Sequence, residues 1–575
     1  TVMAVTIGFI GLASLYRTSK LRSGGGAVAK MMGGRLVDPG TRDKLERRLV
    51  NVVEEMSIAS GVPVPEIYVM DQEKGINAFA AGFTPENAAV AVTRGTLEQL
   101  NRDQLQGVLA HEFSHILNGD MRLNIRLIGV LFGILAIAIV GRFLLYSSSF
   151  SRRSKDNAVP MLVGITLFAV GYIGVFIGRL IQSAVSRQRE FLADSSAVQF
   201  TRNPNGIAGA LKRIAGYKDG SYLRNPGSTE VGHLLFGQGD KISLMAGLLA
   251  THPPLEERIR RIDPSFKPEL AERDEEGSLA GIEAVPAAGL AAGFGGARVK
   301  ARPHTVVDRV GSIGDEELKH GANLVAGVPA SLRDALQTAA GARRLIYALL
   351  LDADGDERAK QVRILQDMGG KGDADGALAL FDEMSGLDRA LRLPLADLAM
   401  PALRLVSKEE AKGALAVVDA LVTADGKVTL FEFALRWMLS HRLRGKGRGR
   451  VVYTRLSKVA GNITHLLAGM ARAGNPDDPS AASQAFKAGL GRVGIRDTAS
   501  VERSFEQGGL GSLEQVGQAM DRLSLASYGI KEKVIDAAAH CALADQVVTL
   551  DEAELLRLVA ISLDCPLPPF VAGQM

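Results

Sequence analysis

Residues 111–115 read His111-Glu-Phe-Ser-His115, and this stretch decides how the first half of the chain is organised. Histidines four residues apart lie on one face of an α-helix and can bind one metal ion together. Glu112, between them, is placed to take a proton from a water molecule that such an ion activates. The stretch predicts a zinc-binding helix with His111 and His115 as ligands and Glu112 as general base.

A third protein ligand is expected further along the chain, because zinc sites of this kind use three. Glu190 follows within Arg189-Glu-Phe-Leu-Ala-Asp194, on a segment with helical periodicity. A carboxylate from a second helix completes such a site, so Glu190 is the predicted third ligand. Asp194 lies one helical turn later and is predicted to orient a ligand histidine. For both acidic residues the alternative is a solvated charge on a helix.

Local signals mark where the zinc-binding helix begins and ends. Asn101 is a predicted N-cap, and Gln104, three residues later, completes a capping box. Asn118-Gly119 is a predicted helix stop. Upstream, Thr41 is expected to cap a helix that runs to about residue 60. The stretches 66–70, 76–81 and 88–93 predict three strands of a small sheet.

Three apolar stretches predict attachment to a membrane. Residues 1–16 carry no charge and predict an N-terminal transmembrane helix, tilted or truncated because a full span needs about 20 residues. A signal peptide is less favoured, since no basic region precedes the stretch. Residues 127–146, whose one charge is Arg142, and residues 158–178, which carry none, predict a transmembrane hairpin. A buried hairpin of a soluble protein is the alternative.

Basic residues near the membrane ends predict the orientation of the chain. The hairpin tip has four of them, while the side that holds the predicted zinc ligands has ten: Arg17, Lys20, Arg22, Lys30, Arg35, Arg122, Arg126, Arg179, Arg187 and Arg189. This excess predicts that the zinc-binding helix faces the cytoplasm.

Beyond the hairpin the pattern is mostly helical. Residues 179–200 are predicted to continue the last membrane helix, 206–216 and 251–262 predict two further helices, and 264–312 predict a linker. Residues 313–575 predict an all-helical region. It contains two similar nine-residue segments, 424–432 and 544–552, each with an Asp-containing turn, a capping Thr and a Glu three residues later. Through these segments the region resembles TerB-like helical domains.

Overall composition excludes some classes of function. The net charge of +4 gives no argument for nucleic-acid binding, and the basic run 442–450 is predicted to be a solvated loop. Two cysteines, Cys541 and Cys565, are too few for a disulfide framework and are expected to be buried or free thiols.

The peptidase region resembles the HtpX and CAAX prenyl protease family of membrane zinc metallopeptidases. The residues that carry the resemblance span 40–263 and are Asn77-Ala-Phe-Ala, Ala91-Val-Thr-Arg-Gly95, Gly107-Val-Leu-Ala-His-Glu-Phe-Ser-His-Ile116, Arg189-Glu-Phe-Leu-Ala-Asp194 and Thr251-His-Pro-Pro-Leu-Glu-Glu-Arg258. The resemblance implies one zinc ion per chain and cleavage of damaged or misfolded membrane proteins on the cytoplasmic side. Known members carry two membrane helices before the catalytic domain, whereas this sequence shows one.

The resemblance also implies catalytic roles for Asn77 and His252, which would donate hydrogen bonds to the oxyanion of the transition state. The alternatives are a strand-end residue and a helix-entry residue. His233 competes with His252 for this role and is otherwise a packing residue. The segment 88–94 is expected to offer a strand edge to an extended substrate.

The sequence as a whole predicts a mostly helical α+β protein. Its parts are an N-terminal membrane helix (1–16), a zincin-like catalytic domain with an inserted membrane hairpin (17–263), a linker (264–312) and an all-α region (313–575). The predicted function is that of a zinc endopeptidase in the bacterial inner membrane, whose partners are polypeptides and the lipid bilayer rather than nucleic acid. Homo-oligomer formation through the C-terminal region, a vestigial site on a membrane scaffold and a dedicated single-substrate protease stay open as alternatives.

Overall fold

A computed structural model describes residues 2–20, 24–150, 158–225, 228–239, 252–266, 299–300, 303–443, 451–495 and 498–570. The chain forms two compact units. Unit 1 comprises Thr1–Val37 and Glu66–Ala280, and unit 2 comprises Asp38–Pro65 and Gly281–Met575. The helix near residue 50 is therefore grouped with unit 2, whereas the sequence placed it in the catalytic domain. Most of the predicted linker lies outside the described residues.

Ten helices are described before residue 267. In chain order they are α1 (Val2–Lys20), α2 (Gly25–Met31), α3 (Lys44–Ser60, in unit 2), α4 (Arg94–Gln99), α5 (Arg102–Leu117), α6 (Asp120–Phe150), α7 (Ala158–Thr201), α8 (Pro204–Gly216), α9 (Ser228–Val231) and α10 (Leu255–Ile262). The long helix α7 is continuous, as predicted for residues 179–200. It therefore joins the membrane segment rigidly to the segment that carries Glu190.

A four-stranded sheet lies beside the zinc-binding helix in unit 1. Its strands are β1 (Arg35–Leu36), β2 (Glu66–Met70), β3 (Ala78–Ala81) and β4 (Ala89–Thr93), in the order β1-β2-β4-β3. Strands β2 and β4 are parallel, and the other two pairs are antiparallel. The expectation that residues 88–94 form a free strand edge is wrong, because β4 pairs on both sides. The edge strand next to β4 is β3.

Helix ends follow the predicted capping chemistry with one exception. The Asn101 side chain accepts a hydrogen bond from the Gln104 backbone, and Gln104 bonds back, so α5 begins with the predicted capping box. It ends at Asn118, followed by Gly119 with a φ of 70°. Helix α3, however, is capped by Asp43 rather than Thr41, because Asp43 accepts from the Leu45 backbone.

Two helices of unit 1 are long and apolar enough to cross a membrane. These segments are Asp120–Ser147 in α6 and Met161–Thr201 in α7, with mean hydropathies of 2.5 and 2.2. The predicted stretches 127–146 and 158–178 lie within α6 and α7. Glycines allow the two helices to approach closely: a side chain on Gly171 would collide with Ala138, and one on Gly178 with Leu131.

The N-terminal helix α1 packs along α6 as well. A side chain on Gly129 of α6 would collide with Thr18 of α1, and one on Gly133 would collide with Ile10 and Ser14. Arg17 of α1 lies over the ring of Phe132, 5.2 Å from its centroid. These contacts place α1 beside the hairpin as a third helix of an apolar bundle.

Unit 2 is almost wholly helical, as predicted for residues 313–575. With α3, its helices are α11 (Pro303–Arg309), α12 (Asp315–Gly327), α13 (Ala330–Leu336), α14 (Ala339–Leu349), α15 (Gly355–Gly369), α16 (Lys371–Met384), α17 (Arg392–Leu403), α18 (Lys408–Val422), α19 (Leu430–Leu443), α20 (Ala460–Gly474), α21 (Pro479–Val493), α22 (Thr498–Glu506), α23 (Leu513–Leu523), α24 (Tyr528–Ala542) and α25 (Leu550–Ser562). A short antiparallel pair, β5 (Val299–Lys300) and β6 (Val547–Val548), completes it.

The two repeated segments of unit 2 have the predicted local structure. Thr429 and Glu432 exchange hydrogen bonds at the start of α19, and Thr549 and Glu552 do the same at the start of α25. Both described cysteines are free thiols, as expected, and Cys541 is buried. Of the basic run 442–450, residues 444–450 lie outside the described residues. Its first residue, Arg442, is not part of a solvated loop: it is buried in α19, where it pairs with Asp397.

Candidate metal centre

Three side chains predicted as zinc ligands converge in the interior of unit 1. His111 and His115 project from α5, and Glu190 projects from α7. The two histidine Nε2 atoms are 3.2 Å apart, and each lies 3.6 Å from an oxygen of Glu190. All three side chains are buried or nearly so. The fold therefore brings together three donor atoms from two helices that the whole of α6 separates in the sequence.

The spacing and surroundings of these donors fit a metal ion. Donor atoms around a tetrahedral zinc ion, with bond lengths of about 2.0–2.1 Å, are separated by about 3.3 Å. Two ring nitrogens at 3.2 Å beside a carboxylate match this separation. Burial by itself would lower the pKa of His115, but hydrogen bonds to Asp120 and Glu190 outweigh it and raise that pKa to about 10. The site favours a positive charge at this position, which a bound metal ion would supply.

Each ligand histidine has a carboxylate at its other nitrogen. His115 Nδ1 lies 2.9 Å from Asp120 Oδ2, and Asp120 is held in turn by Arg189. His111 Nδ1 lies 3.0 Å from Asp194 Oδ1, although the alignment falls short of a hydrogen bond. Carboxylates in these positions fix ring orientation and raise the basicity of the ligand nitrogen.

A fully buried arginine supports Asp194. The Nε and Nη2 atoms of Arg258 donate to the two Asp194 oxygens at 2.8 and 2.7 Å, which is a bidentate pair. Its Nη1 donates to Phe236 O at 2.6 Å and lies 3.5 Å from Glu190 Oε2. The ring of Phe236 packs edge-on against His111. Arg258 therefore balances the negative charge of two carboxylates behind the ligand atoms.

Glu112 is completely buried, and neither of its carboxyl oxygens has a hydrogen-bond partner among the described residues. Burial raises the pKa of Glu112 to about 8, against a smaller opposing effect of His115. A carboxyl group with a pKa near neutrality exchanges protons readily, which suits a general base that must also return its proton. The backbone N–H of Ala80 in β3 faces this carboxyl group.

His252 lies against the ligand carboxylate. Its Nδ1 is 3.0 Å from Glu190 Oε2, and its Nε2 is 2.8 Å from Gly232 O. Both ring nitrogens therefore lie within hydrogen-bonding distance of an oxygen atom. His233, the competing candidate, is buried with its Nε2 3.3 Å from Asn124 O and lies outside the donor cluster.

Asn77 stands at the start of β3 with its side chain fully engaged. Its amide N–H groups donate to Ser221 O at 2.7 Å and Gly237 O at 3.0 Å. Its Oδ1 accepts from the Gly237 backbone at 3.2 Å. Asn77 therefore holds the segments around Ser221 and Gly237 against the sheet. Both of its side-chain N–H groups already donate hydrogen bonds to these segments.

The open edge of β3 is partly occupied by the chain itself. Phe79 pairs with Leu235 in an isolated antiparallel bridge, and the Phe236 backbone donates to Ala78 O at 2.8 Å. Within the described part of the chain this pairing does not extend to Ala80 or Ala81. The part of the β3 edge that stays unpaired among the described residues, Ala80 and Ala81, therefore begins next to Glu112.

Sequence reasoning missed three residues of the site. Asp120 received no role, although its place five residues after His115 was a usable signal. Arg258 stands within the quoted Glu-Glu-Arg258 motif but received no role, and no local pattern points to Phe236. The contacts of Arg258 and Phe236 with the site join segments that are distant in the sequence, so helix periodicity and residue spacing do not reveal them.

Comparison with known proteins agrees with this geometry. Residues 43–265 match the model of Peptidase family M48. The chain is 42% identical over 214 residues to a "Protease HtpX homolog" of Dictyoglomus turgidum, covering 37% of this chain and 68% of the relative. It is 34% identical over 265 residues to a "Protease HtpX homolog" of Streptococcus pyogenes, covering 45% of this chain and 85% of the relative. A third such homologue, from Thermoanaerobacter pseudethanolicus, is 40% identical over 225 residues.

Proposed function

Because the chain belongs to peptidase family M48 as an HtpX-like member, we propose that it is a zinc endopeptidase which cleaves misfolded or damaged membrane proteins on the cytoplasmic side. Membership of the family makes it a protease, and the helices α6 and α7 give it membrane features. The observation that carries the zinc proposal is the convergence of two imidazole nitrogens and one carboxylate within 4.8 Å of one another.

His111, His115 and Glu190 would hold the zinc ion. When bound, zinc acts as a Lewis acid and lowers the pKa of a coordinated water molecule to about 7. Glu112 takes a proton from the attacking water and returns it to the leaving amine. Its burial and the absence of a side-chain hydrogen-bond partner among the described residues keep this carboxylate free for both transfers. Asp120, Asp194 and Arg258 hold the ligand side chains in place.

We keep His252 and Asn77 as proposed catalytic residues that donate to the oxyanion. In the present geometry His252 would first have to release Glu190 or Gly232, and Asn77 would have to release one of two carbonyls. The same contacts support a second role for His252, which is to position Glu190. The two roles predict different kinetic results.

Replacing His252 with Leu should lower zinc affinity about 10- to 100-fold if its role is to orient Glu190. Activity should then return at saturating zinc. If His252 stabilises the oxyanion, kcat should stay about 10²–10³-fold lower even at full zinc occupancy. Zinc titration with a competing chelator, combined with kcat at saturating zinc, separates the two. His441→Leu, in unit 2, is the control, and wild-type values for His252→Leu would exclude both roles.

The proposed function as a whole is tested with membrane vesicles of both orientations. An unfolded soluble protein added outside inverted vesicles should be cleaved, while its folded form should be spared. The same protein added outside right-side-out vesicles should survive, because the peptidase site faces the cytoplasm. A zinc chelator should stop the reaction, and added zinc should restore it. Cleavage by right-side-out vesicles alone would overturn the orientation, and equal cleavage of folded protein would overturn the substrate class.

A further inference from the structure

The candidate metal centre lies at a short distance from the end of the apolar part of α6 and α7. Resting on the proposed peptidase function, we propose that this distance selects the bond that is cut: the enzyme cleaves polypeptides that carry a membrane-embedded segment, at bonds a few residues beyond the end of that segment. The rigid pairing of α6 with α7 fixes the distance.

The register between α6 and α7 is constant wherever the two helices lie side by side. Gly178 meets Leu131, Gly171 meets Ala138, and Gly141 meets Phe168. The ion pair between Asp120 and Arg189 continues the same antiparallel register beyond the apolar part. The two helices therefore form one stiff pair that extends from the membrane segment to the metal centre.

Basic residues on α1 and α6 mark one level across the bundle. Arg126 is exposed at the start of the apolar part of α6. Thr18 of α1 meets Gly129, which places Arg17 and Lys20 close to the same level. We call Arg17, Lys20 and Arg126 the basic collar. Arginine and lysine at the ends of membrane helices lie at the headgroup level, so the collar marks where the hydrocarbon layer ends.

The distance from the collar to the metal centre follows from helix geometry. By the register, Arg126 is level with about residue 183 of α7, and Glu190 lies about seven residues further, or about 10 Å at 1.5 Å per residue. An extended peptide covers this distance in about three residues, at about 3.3 Å per residue. The ligand carboxylate is therefore only slightly outside the headgroup layer, which is about 5–7 Å thick on each side.

The exposed face of α7 around the level of Glu190 suits a headgroup layer. Ile181, Val185 and Leu192 are apolar and 61%, 40% and 55% exposed, and the polar residue Gln188, between Val185 and Leu192, is also exposed. Past Leu192, the exposed residues Ser195 and Gln199 are polar. The exposed face therefore changes from apolar in the membrane segment, through a mixed stretch, to polar. Lipid at the membrane surface is the occupant that such a gradient fits, and it keeps unit 1 against the bilayer.

Strand β3 points from the metal centre towards the collar. Ala80, near the C-terminal end of β3, faces Glu112. Past the same end, Phe83 O accepts a hydrogen bond from Arg122 of α6, one helical turn from Arg126. A chain that leaves the bilayer beside α6 would thus meet the open edge of β3 and follow it to the general base. Strand addition along that edge needs an extended, unfolded segment.

The proposal makes a quantitative prediction about cut position. A bond directly beyond the membrane segment cannot reach Glu112, while bonds from about four residues onward can. Membrane anchoring also raises the local concentration of the substrate to the mM range for short tethers, so a tethered bond should be cut at least about tenfold faster than a free peptide at the same nominal concentration.

The test uses proteoliposomes that contain the full-length enzyme and a series of designed substrates. Each substrate has one membrane helix and a Gly/Ser tail that carries a single cleavable heptapeptide. The spacer between helix and heptapeptide is short (about 1–2 residues), intermediate (about 4–8 residues) or long (about 16–30 residues), chosen to bracket the reach of an extended chain. The heptapeptide is one that the enzyme cuts in an unfolded soluble protein, and it is also supplied as a free peptide. Cleavage products are identified by mass spectrometry, and the Glu112→Gln enzyme is the negative control.

We expect a sharp lower limit: cleavage should be absent with the short spacers, strong with the intermediate ones and gradually weaker with the long ones. Equal rates with short and intermediate spacers, or equal rates for the tethered and free heptapeptide, would overturn the proposed selection by distance. The proposed peptidase function would still stand. Absence of cleavage in every substrate, including the free peptide and the unfolded protein, would instead overturn the proposed function.

Discussion

Glu112→Gln should abolish peptide cleavage, with kcat/KM at least about 10²–10⁴-fold lower, while the protein keeps its zinc. The amide cannot accept the proton of the attacking water. Zinc should stay, because the three converging donor atoms belong to His111, His115 and Glu190. The fold should also be kept, since a neutral amide of the same shape replaces a buried carboxyl group whose pKa is about 8. Zinc content and cleavage are measured on the same preparations.

The matched control is Glu98→Gln, which makes the same chemical change on the exposed face of α4. It should behave as wild type. A Glu112→Gln enzyme that cleaves at the wild-type rate would remove Glu112 from the mechanism. A variant that loses zinc together with activity would show that the carboxylate supports the metal site rather than the proton transfer.

Arg258→Met should destabilise unit 1 by about 3–5 kcal/mol, because it leaves a buried carboxylate without its partner. Arg258 is fully buried and makes a bidentate pair with Asp194, whose side chain is 5% exposed. Its loss would also remove the positive charge that lies 3.5 Å from Glu190 Oε2 and free the segment around Phe236. We expect lower thermal stability in detergent, weaker zinc binding and loss of activity, measured by thermal unfolding and zinc titration.

Two further variants test whether the loss of stability comes from the buried pair of Arg258 with Asp194 or from the loss of any arginine on this helix. Arg260→Met lies on the same helix, in an exposed pair with Glu256, and should cost less than about 1 kcal/mol. The double variant Arg258→Met with Asp194→Leu removes both buried charges and should recover much of the lost stability. Additive losses in that double variant would show that Arg258 acts through Phe236 and Glu190 rather than through Asp194.

Unit 2 includes part of the segment that matches the peptidase family. Helix α3 falls inside that segment, yet it packs within unit 2. A side chain on Gly321 of α12 would lie 2.6 Å from Glu55 O, and Arg404 donates to Val64 O at 3.0 Å. The full chain is therefore the form on which stability and activity are to be compared, because truncation would uncover α3.

Much of the site was predictable because its chemistry is local. The spacing of His111 and His115 follows from helix periodicity, and the capping box at Asn101 and Gln104 marks where that helix begins. Apolar length alone predicted the hairpin, since a membrane span needs about 20 such residues. The same local logic predicted the paired caps of unit 2 at Thr429 and Thr549. Periodicity and capping act over one or two turns, so the sequence displays them directly.

Other features depend on segments that are distant in the sequence. That β3 rather than β4 is the sheet edge depends on strand order, which local pattern does not encode. The pairing of Arg258 with Asp194 spans 64 residues, and the contact of His252 with Glu190 spans 62. The sequence by itself thus determined which residues can bind zinc, which can transfer a proton and which stretches are apolar enough to cross a membrane. Only the tertiary structure decided how those residues are supported and where they lie along the register of α6 and α7, because burial and helix register arise from packing between distant segments.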